Sequence, residues 1–364
     1  MPDLPAFPHQ NDFSRDASQY DGERFYNPPW ITPAAAAGDP PPAPPLSLES
    51  TPPGSSPPPS GSRLMSLLRW RLGRSTRSKW PDRIIDPAPS GDPWAVPGPG
   101  EIAVTFIGHS SFLIRMAGLT LLTDPIFSER ASPVSWAGPK RVRAPGRTLA
   151  SLPPVDMILL SHNHYDHMDL PSLRALRRHS APQVITPLGN ARHVRKAGRF
   201  DVQELDWWQD TTQGPARIMA LPARHFSSRT LRDSGRSLWA GFMLEAGGMR
   251  LIFAGDSGDG THWQRIHDRV GPPDLALLPI GAYEPRAMMR RVHMDPAEAV
   301  GAHRALGATY SIGTHFGTFQ LTDEAVDAPE RTLITEMQRQ DVAADRFVTL
   351  GFGECRRFDT RAKN

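Results

Sequence analysis

A dense cluster of histidine lies near the middle of the chain, where three histidines and an aspartate fall within residues 162–167. The apolar run at residues 157–160 precedes it and predicts a buried strand. Asp169, with Pro171 two positions later, predicts the start of a helix. The histidines are therefore expected on a turn at the carboxyl end of a strand. Ordinary surface turns lack this density of metal-binding side chains, so the pattern favours a metal site.

The spacing within the cluster suits two ions rather than one. His162 and His164 are two residues apart, so in extended backbone their side chains leave the same side of the chain. Asp166 and His167 are adjacent and lie where the chain bends into the predicted helix. We expect the first pair to face one metal and the second pair to face another.

Three later residues share one context, in which a predicted strand has just ended and a small residue lies close by. They are His225, Asp256 and His315, and the strands are predicted at residues 217–221, 250–254 and 309–312. A lone acid after a buried apolar strand needs a partner, which makes Asp256 the strongest candidate of the three. His225 taken alone would more often be an ordinary core or surface histidine.

Composition sets broad limits on the class of protein. The chain has 364 residues, which is enough for a large core, and a single cysteine, Cys355, so no disulfide framework can form within it. The formal net charge of +3 argues for no nucleic-acid partner. The first residues show no signal peptide and no apolar run spans a membrane, so the expected location is the cytoplasm. A homodimer remains an open option for assembly.

The first 62 residues are expected to form a disordered, proline-rich extension. Thirteen of the 32 residues at positions 28–59 are proline, a composition that cannot bury enough apolar surface to offset its ordering entropy. Residues 22–30, GERFYNPPW, contain aromatic side chains that could dock on a domain. Trimming the extension is expected to leave the fold intact.

A basic segment and a linker are predicted at residues 63–99. Residues 63–80 contain five arginines and a lysine, no acid, and several leucines with Trp70, which predicts a short amphipathic helix. One interpretation is peripheral contact with an anionic membrane, at the inner face for a cytoplasmic protein. The other is a helix packed on the domain with solvated arginines.

The compact domain is predicted at residues 100–360, where short apolar strands alternate with helices in an α/β pattern. Helices are expected at residues 171–179, 296–306 and 325–339, and Asp295 with Glu298 has capping-box spacing. A long irregular loop at residues 126–153 carries a basic cluster of Lys140, Arg141, Arg143 and Arg147. Loops of this length are often functional.

The cluster SHNHYDH at residues 161–167 resembles the metallo-β-lactamase superfamily, and other strings resemble one branch of it, the N-acyl-phosphatidylethanolamine-hydrolysing phospholipases D. These strings are TDPIFS at 123–128, RASP at 130–133, GPKR at 138–141, ELDWW at 204–208, PIGAYEPR at 279–286 and GTF at 317–319. The resemblance covers roughly residues 101–358. It implies an αββα four-layer sandwich with metals between the two sheets.

The resemblance also implies a set of ligands. It assigns the first metal to His162, His164 and His225, the second to Asp166, His167 and His315, and a bridging role to Asp256. The expected cofactor is a pair of zinc ions, although nitrogen and oxygen ligands without a thiolate also suit iron or manganese.

The activity implied by the resemblance is hydrolysis of a phosphodiester by a hydroxide that bridges two zinc ions, on an N-acyl-phosphatidylethanolamine-like phospholipid. Asp166, Asp256 and His293 are the candidates for direct catalytic roles, and His293 is expected to steady the substrate or leaving group. His109 is expected either to support the metals or to make a structural hydrogen bond.

Two other functions remain open. One is a lactonase or phosphodiesterase acting on a soluble metabolite. The other is a non-catalytic regulator, associated with membrane or nucleic acid, that keeps its metal site for stability.

Overall fold

The structure is a computed structural model that describes residues 18–32, 77–230 and 232–361. Most of the predicted basic helix, residues 63–76, lies outside the described residues. Within them the strands are β1 (Gln19–Tyr20), β2 (Phe25–Tyr26), β3 (Glu101–Gly108), β4 (Ser111–Met116), β5 (Leu119–Thr123), β6 (Met157–Leu159), β7 (Gln183–Pro187), β8 (Val202–Leu205), β9 (Asp210–Gln213), β10 (Ala216–Leu221), β11 (Gly241–Ala246), β12 (Met249–Phe253), β13 (Leu275–Pro279), β14 (Tyr310–Thr314), β15 (Phe347–Val348) and β16 (Cys355–Asp359).

Two seven-stranded sheets form the centre of the fold. One has the order β16-β3-β4-β5-β6-β7-β8 and the other β15-β14-β13-β12-β11-β10-β9. Each sheet has an antiparallel half and a parallel half, because the pairs β5–β6, β6–β7 and β7–β8 in the first, and β12–β13, β13–β14 and β14–β15 in the second, run parallel. The carboxyl ends of parallel strands meet at one edge of a sheet, and this edge carries the candidate ligands.

The alternation of side chains along β6 shows how the layers are built. Met157 and Leu159 belong to the large core between the sheets, whereas Ile158 and Leu160 belong to a second core on the outer face of the first sheet. Both faces of this strand are buried, which explains why its sequence is a continuous apolar run rather than an alternating one.

Helices cover the outer faces. They are α1 (Leu170–His179), α2 (Ala191–Val194), α3 (His262–Val270), α4 (Arg286–Met289), α5 (Pro296–Leu306) and α6 (Ala328–Arg339) among the described residues. Leu173 and Leu176 of α1 pack in the second core, and Trp263 and Val300, from α3 and α5, are continuous with the large core through the residues of the second sheet. The αββα arrangement predicted from the sequence is confirmed.

The predicted helix starts are also confirmed. The Asp169 carboxylate caps α1 by accepting a hydrogen bond from the backbone N–H of Ser172. Asp295 and Glu298 form the predicted capping box at the start of α5. These local signals need no tertiary contact, which is why the sequence reveals them.

Two expectations about the N-terminal region need correction. Residues 18–32 do not behave as a free extension: they form the hairpin β1–β2 and a 3-10 turn at Pro29–Ile31, and Ile31 is fully buried in the large core. The end of the predicted basic helix is not helical. The side chains of Arg77 and Trp80 donate hydrogen bonds to the backbone carbonyls of Gln320 and Glu324, so this segment packs on the domain.

Candidate metal centre

The ends of four strands deliver the predicted ligands to one place. His162 and His164 follow β6, His225 follows β10, Asp256 follows β12 and His315 follows β14. The structure thus brings together residues that are up to 153 positions apart, with buried or nearly buried side chains.

The first group of ligand atoms comes from His162, His164 and His225. The Nδ1 atom of His164 lies 2.8 Å from Nε2 of His162 and 3.3 Å from Nε2 of His225. These three nitrogens converge closely enough to hold one ion. This is the trio that the resemblance assigns to the first metal.

The second group contains Asp166, His167 and His315, joined by His109. The Oδ2 atom of Asp166 lies 3.4 Å from Nε2 of both His167 and His315. His109 Nε2 is 2.9 Å from the same oxygen, so this histidine makes a direct hydrogen bond to a candidate ligand. All four residues offer a ligand atom to one small volume.

Asp256 reaches both groups through one oxygen. Its Oδ2 atom lies 3.0 Å and 3.1 Å from Nε2 of His167 and His315. The same atom is 3.9 Å and 3.8 Å from Nε2 of His162 and His225. A carboxylate in this position suits the predicted bridge between two ions.

Residues behind the ligands fix their ring orientations. His162 Nδ1 pairs with the Ser161 hydroxyl at 2.9 Å, and His225 Nδ1 pairs with the Val292 carbonyl at 2.9 Å. His167 Nδ1 lies 2.7 Å from Oδ2 of Asp124. Such partners leave the other ring nitrogen directed to a metal.

Sequence reasoning did not identify Asp124 or Val292 as part of the site. Asp124 had a usable signal, because it follows the predicted strand at residues 119–123 in the same way that Asp256 follows its own strand. Val292 had none, since it contributes only a backbone carbonyl.

Gly255, two residues after β12, allows the chain to pass close to Ser161, the residue before the first ligand. Its φ of +62° is in the left-handed region, and a Cβ added there would lie 2.6 Å from Cβ of Ser161. A larger residue would push Asp256 away from the histidines, so glycine at this position is a requirement of the site.

Burial makes the first group neutral. It lowers the pKa of His164 to about 3 and that of His225 to about 4, and it holds the pKa of His162 well below the ordinary value. Neutral imidazole is the form that binds metal. These three side chains are therefore ready to coordinate an ion at neutral pH.

In the second group, nearby carboxylates raise the pKa values of two histidines. Burial alone would lower the pKa of His315, but the carboxylates of Asp256 and Asp166 outweigh it and raise the pKa to about 9. The pKa of His167 is likewise raised well above its usual range, because Asp256, Asp166 and Asp124 together outweigh burial. The nearby buried carboxylates therefore favour the protonated form of both imidazoles.

Unpaired atoms provide a test of whether the residues fit metal ions. Oδ1 of Asp256 is buried and makes no hydrogen bond in the described part of the chain, and the Nε2 atoms of His167 and His315 lie beside carboxylate oxygens without a hydrogen bond of good geometry. Buried polar atoms without a partner are costly, and coordination to cations would satisfy them. The donor set of imidazoles and carboxylates fits divalent ions such as zinc.

His293, which the resemblance assigns to the site, lies beside the two ligand groups. Its Nδ1 atom is 4.0 Å from Oδ2 of Asp256, and its ring centroid is 5.1 Å from those of His225 and His315. Its side chain is 12% exposed and that of Asp166 is 13% exposed, whereas those of His162, His167, His225, Asp256 and His315 are at most 2% exposed. His164 is partly exposed as well, so His164, Asp166 and His293 are the members of the site nearest to solvent.

The basic cluster of the long loop serves the fold more than the site. The guanidinium of Arg141 donates to the carbonyls of Ser128 and Ile126, and Arg143 binds Asp86 and the Gly317 carbonyl. Arg147 donates to the Gly353 carbonyl. These arginines hold an irregular loop in place by satisfying backbone carbonyls.

Lys140 has a different setting. It lines a cleft of about 730 Å³ together with Arg77, Trp80, Val142 and Leu321. None of the residues that line this cleft belongs to the ligand groups.

In the described residues, no helix has the length and apolar character needed to cross a bilayer.

The fold and the metal centre agree with comparisons to known proteins. Residues 120–316 match the family model of the β-lactamase superfamily domain, which is more than half of the chain. The chain belongs to the metallo-β-lactamase superfamily. Within it, the chain is similar to N-acyl-phosphatidylethanolamine-hydrolyzing phospholipase D 1 of Caenorhabditis elegans, with 35% identity over 69% of this chain and 74% of that protein.

Other relatives support the same placement. The mitochondrial N-acyl-phosphatidylethanolamine-hydrolyzing phospholipase D of Saccharomyces cerevisiae is 37% identical over 63% of this chain, and the match spans 50% of the yeast protein. Among solved structures, a metallo hydrolase from Ignicoccus hospitalis superposes with a TM-score of 0.53 at 20% identity, covering 71% of this chain and 98% of that one. This structural likeness establishes the fold alone.

Proposed function

We propose that this protein hydrolyses the phosphodiester of an N-acyl-phosphatidylethanolamine-like phospholipid, in the manner of a phospholipase D. The observation that carries the proposal is the convergence of two ligand groups around Asp256, at the edge of two sheets. The 35% and 37% identities to two proteins named for this activity support the choice of substrate. The hydrolase class follows from the superfamily, and the lipid is the narrower part of the proposal.

We assign one ion to His162, His164 and His225, and one to Asp166, His167 and His315, with Asp256 shared. Zinc is the first expectation, and iron or manganese also suits these donors. When bound, a pair of such ions would lower the pKa of a water molecule toward neutrality and would stabilise negative charge on a phosphoryl oxygen.

His293 and Asp166 are the side chains of this chain that we expect to orient the substrate and transfer a proton. Burial keeps the pKa of His293 well below its ordinary value, so the ring is neutral, and its Nδ1 makes no hydrogen bond within the described protein. A neutral imidazole at this position can steady the leaving alcohol or pass a proton to it. Asp166, which is hydrogen-bonded to His109, is also partly exposed at the site.

Apolar and basic groups outside the centre support a lipid substrate over a soluble metabolite. Trp136 is 79% exposed and Val134 is 37% exposed on the same loop as Lys140. An exposed tryptophan on a loop that also carries a lysine suits the interface of an anionic membrane. We therefore propose peripheral contact with such a surface during turnover.

The test is hydrolysis of vesicle-bound N-acyl-phosphatidylethanolamine by the zinc-loaded full chain in ¹⁸O-labelled water. Attack at phosphorus breaks the bond to the alcohol oxygen, so the label should enter phosphatidic acid, and the released N-acylethanolamine should carry none. Metal analysis should give close to two ions per chain, and Asp256→Asn, purified in parallel, should lower both occupancies and abolish turnover.

Two outcomes would reject the proposal. Equal turnover of the lipid by the Asp256→Asn preparation would reveal a contaminating enzyme. Turnover of lactones or of small soluble phosphodiesters, with none of the lipid, would favour the alternative of a soluble-metabolite hydrolase.

A further inference from the structure

An N-terminal residue contacts a metal ligand that is 198 positions away. Nδ2 of Asn27 lies 2.8 Å from the backbone carbonyl of His225 and donates a hydrogen bond to it. His225 lies four residues beyond the end of β10, in irregular backbone that has no sheet partner of its own. A buried carbonyl in such a segment needs a donor, and Asn27 supplies it.

The segment that carries Asn27, residues 18–32, is firmly seated on the domain. The N–H of Phe25 donates to the Gly235 carbonyl at 2.7 Å, and Ile31 is fully buried. The Trp30 ring lies between the edge of Trp207, at 6.3 Å, and the guanidinium of Arg265, at 4.4 Å. These contacts fix the position of the Asn27 amide independently of the metal centre.

Tight packing at the C-terminal end of the segment shows that its contact with the domain is specific. A Cβ on Gly260 would lie 2.1 Å from the carbonyl oxygen of Ile31, and the hydroxyl of Thr261 donates to the Trp30 carbonyl. Only a residue without a side chain permits this approach. The domain surface is thus shaped to receive residues 18–32.

His225 is held from two sides. Its ring Nδ1 pairs with the Val292 carbonyl, and its own carbonyl accepts from Asn27. Together these contacts fix the ring and the peptide plane that carries it, which directs Nε2 to the group formed with His162 and His164. Oδ1 of Asn27 is buried and makes no hydrogen bond within the described residues, so the contact with His225 is made by the Nδ2 donor.

We propose that Asn27 is a positioning residue for the metal held by His162, His164 and His225, and that residues 18–32 are a working part of the metal centre. The proposal rests on the ligand geometry and does not depend on the phosphodiester substrate. Partners behind metal ligands commonly change metal affinity by about 10–100-fold when removed. The second group makes no contact with Asn27, so its ion should be unaffected.

The test compares full-length variants by stepwise zinc competition with a chromogenic chelator, and by the visible spectrum after cobalt(II) loading. Asn27→Ala should weaken one ion by about tenfold or more, alter the cobalt spectrum and leave the other ion unchanged. Asn27→Leu, which nearly preserves the side-chain shape and lacks the donor, should do the same. Tyr26→Phe is the matched control, because it removes a hydrogen bond to Gln19 on the same segment and should match the natural protein.

A second comparison identifies the weakened ion. In a His164→Ala background, which removes a ligand of the first group, adding Asn27→Ala should not weaken the remaining ion further. Unchanged affinity for both ions in Asn27→Ala and Asn27→Leu would overturn the proposal. Equal weakening of both ions would also overturn it, because Asn27 would then act only through general stability. If Asn27→Ala does not fold, Asn27→Leu decides by the same two criteria.

Discussion

Oδ2 of Asp124 lies 2.7 Å from Nδ1 of His167, and both side chains are fully buried, Asp124 directly after β5 and His167 on the turn between β6 and α1. Asp124 also accepts hydrogen bonds from the backbone N–H and the hydroxyl of Ser161. One carboxylate therefore anchors the residue before the first ligand and orients a ligand of the second group. The carboxylate thus links Ser161, at the start of the ligand turn, to His167 at its end.

Replacing Asp124 should weaken the second ion. Asp124→Asn removes the negative charge behind His167, so we expect about a 10–100-fold loss of affinity for the ion at His167. Asp156→Asn is the control, because Asp156 accepts a hydrogen bond from the backbone of the same strand at Thr120, distant from the ligand end. Competitive zinc titration measures both, and an unaltered second affinity in Asp124→Asn would contradict the expectation.

His293 should contribute to turnover and not to metal binding. His293→Gln is expected to lower kcat by about 100-fold or more, which is typical of a lost proton-transfer group, while two ions remain bound. The comparison is His179→Gln, a substitution at the last residue of α1, which should leave both quantities unchanged. Loss of an ion in His293→Gln would identify this histidine as a ligand instead.

The two ions should respond differently to pH. The pKa of His315 is about 9 in the metal-free protein, so below that pH an ion at the second group must displace its proton, and affinity should rise as pH rises. The gain is about tenfold per pH unit for each proton displaced. His164 and His225, with pKa values of about 3 and 4, are neutral throughout this range, so the first ion should bind with little pH dependence above about pH 5.

Calorimetric zinc titrations in buffers with different ionisation heats measure this contrast directly. One binding event should release protons between about pH 6 and pH 8, and the other should release few. Equal proton release from both events would show that the two groups do not differ in protonation.

Truncation should reveal where the N-terminal segment becomes part of the domain. Removal of residues 1–32 takes away the fully buried Ile31 and the packed Trp30, so the free energy of unfolding should fall by about 2 kcal/mol or more. Removal of residues 1–17 is the matched control and should leave denaturant stability unchanged. Equal stability of both truncated forms would show that residues 18–32 add nothing to the fold.

The basic segment is a separate prediction from sequence. Changing Arg69, Arg71 and Arg74 to Glu should weaken binding to anionic vesicles, by about 1 kcal/mol for each charge near the surface, and the effect should diminish with added salt. Turnover of a soluble short-chain phosphodiester should hardly change. Reversal of Arg331, Arg339 and Arg361, which are exposed elsewhere on the domain, is the charge-matched control. If the variant at Arg69, Arg71 and Arg74 lost vesicle binding and soluble turnover to the same extent, the segment would be a structural part of the domain.

Two strands escaped sequence reasoning, for different reasons. β9, with the sequence Asp-Thr-Thr-Gln, has no apolar alternation, and it is a strand because it pairs with β10 at the edge of the second sheet. β16 joins β3 across more than 240 residues and completes the first sheet from the end of the chain. A partner so distant in sequence leaves no local pattern to detect for β16, whereas β9 pairs with its neighbour in sequence and was missed because its residues are polar.

The sequence by itself determined the strand–turn–helix around His162, the caps of α1 and α5, and the seven candidate ligands, because each of these has a short-range signature or a family motif. The family resemblance implied that Asp256 serves both ligand groups, and the tertiary structure supplied the distances. Only the tertiary structure decided that Asp124 and Val292 orient the histidine rings, and that Asn27 joins the site from the N-terminal segment. Distances between side chains on different strands depend on sheet order and register. Those are fixed by the packing of the whole domain, and no single stretch of sequence encodes them.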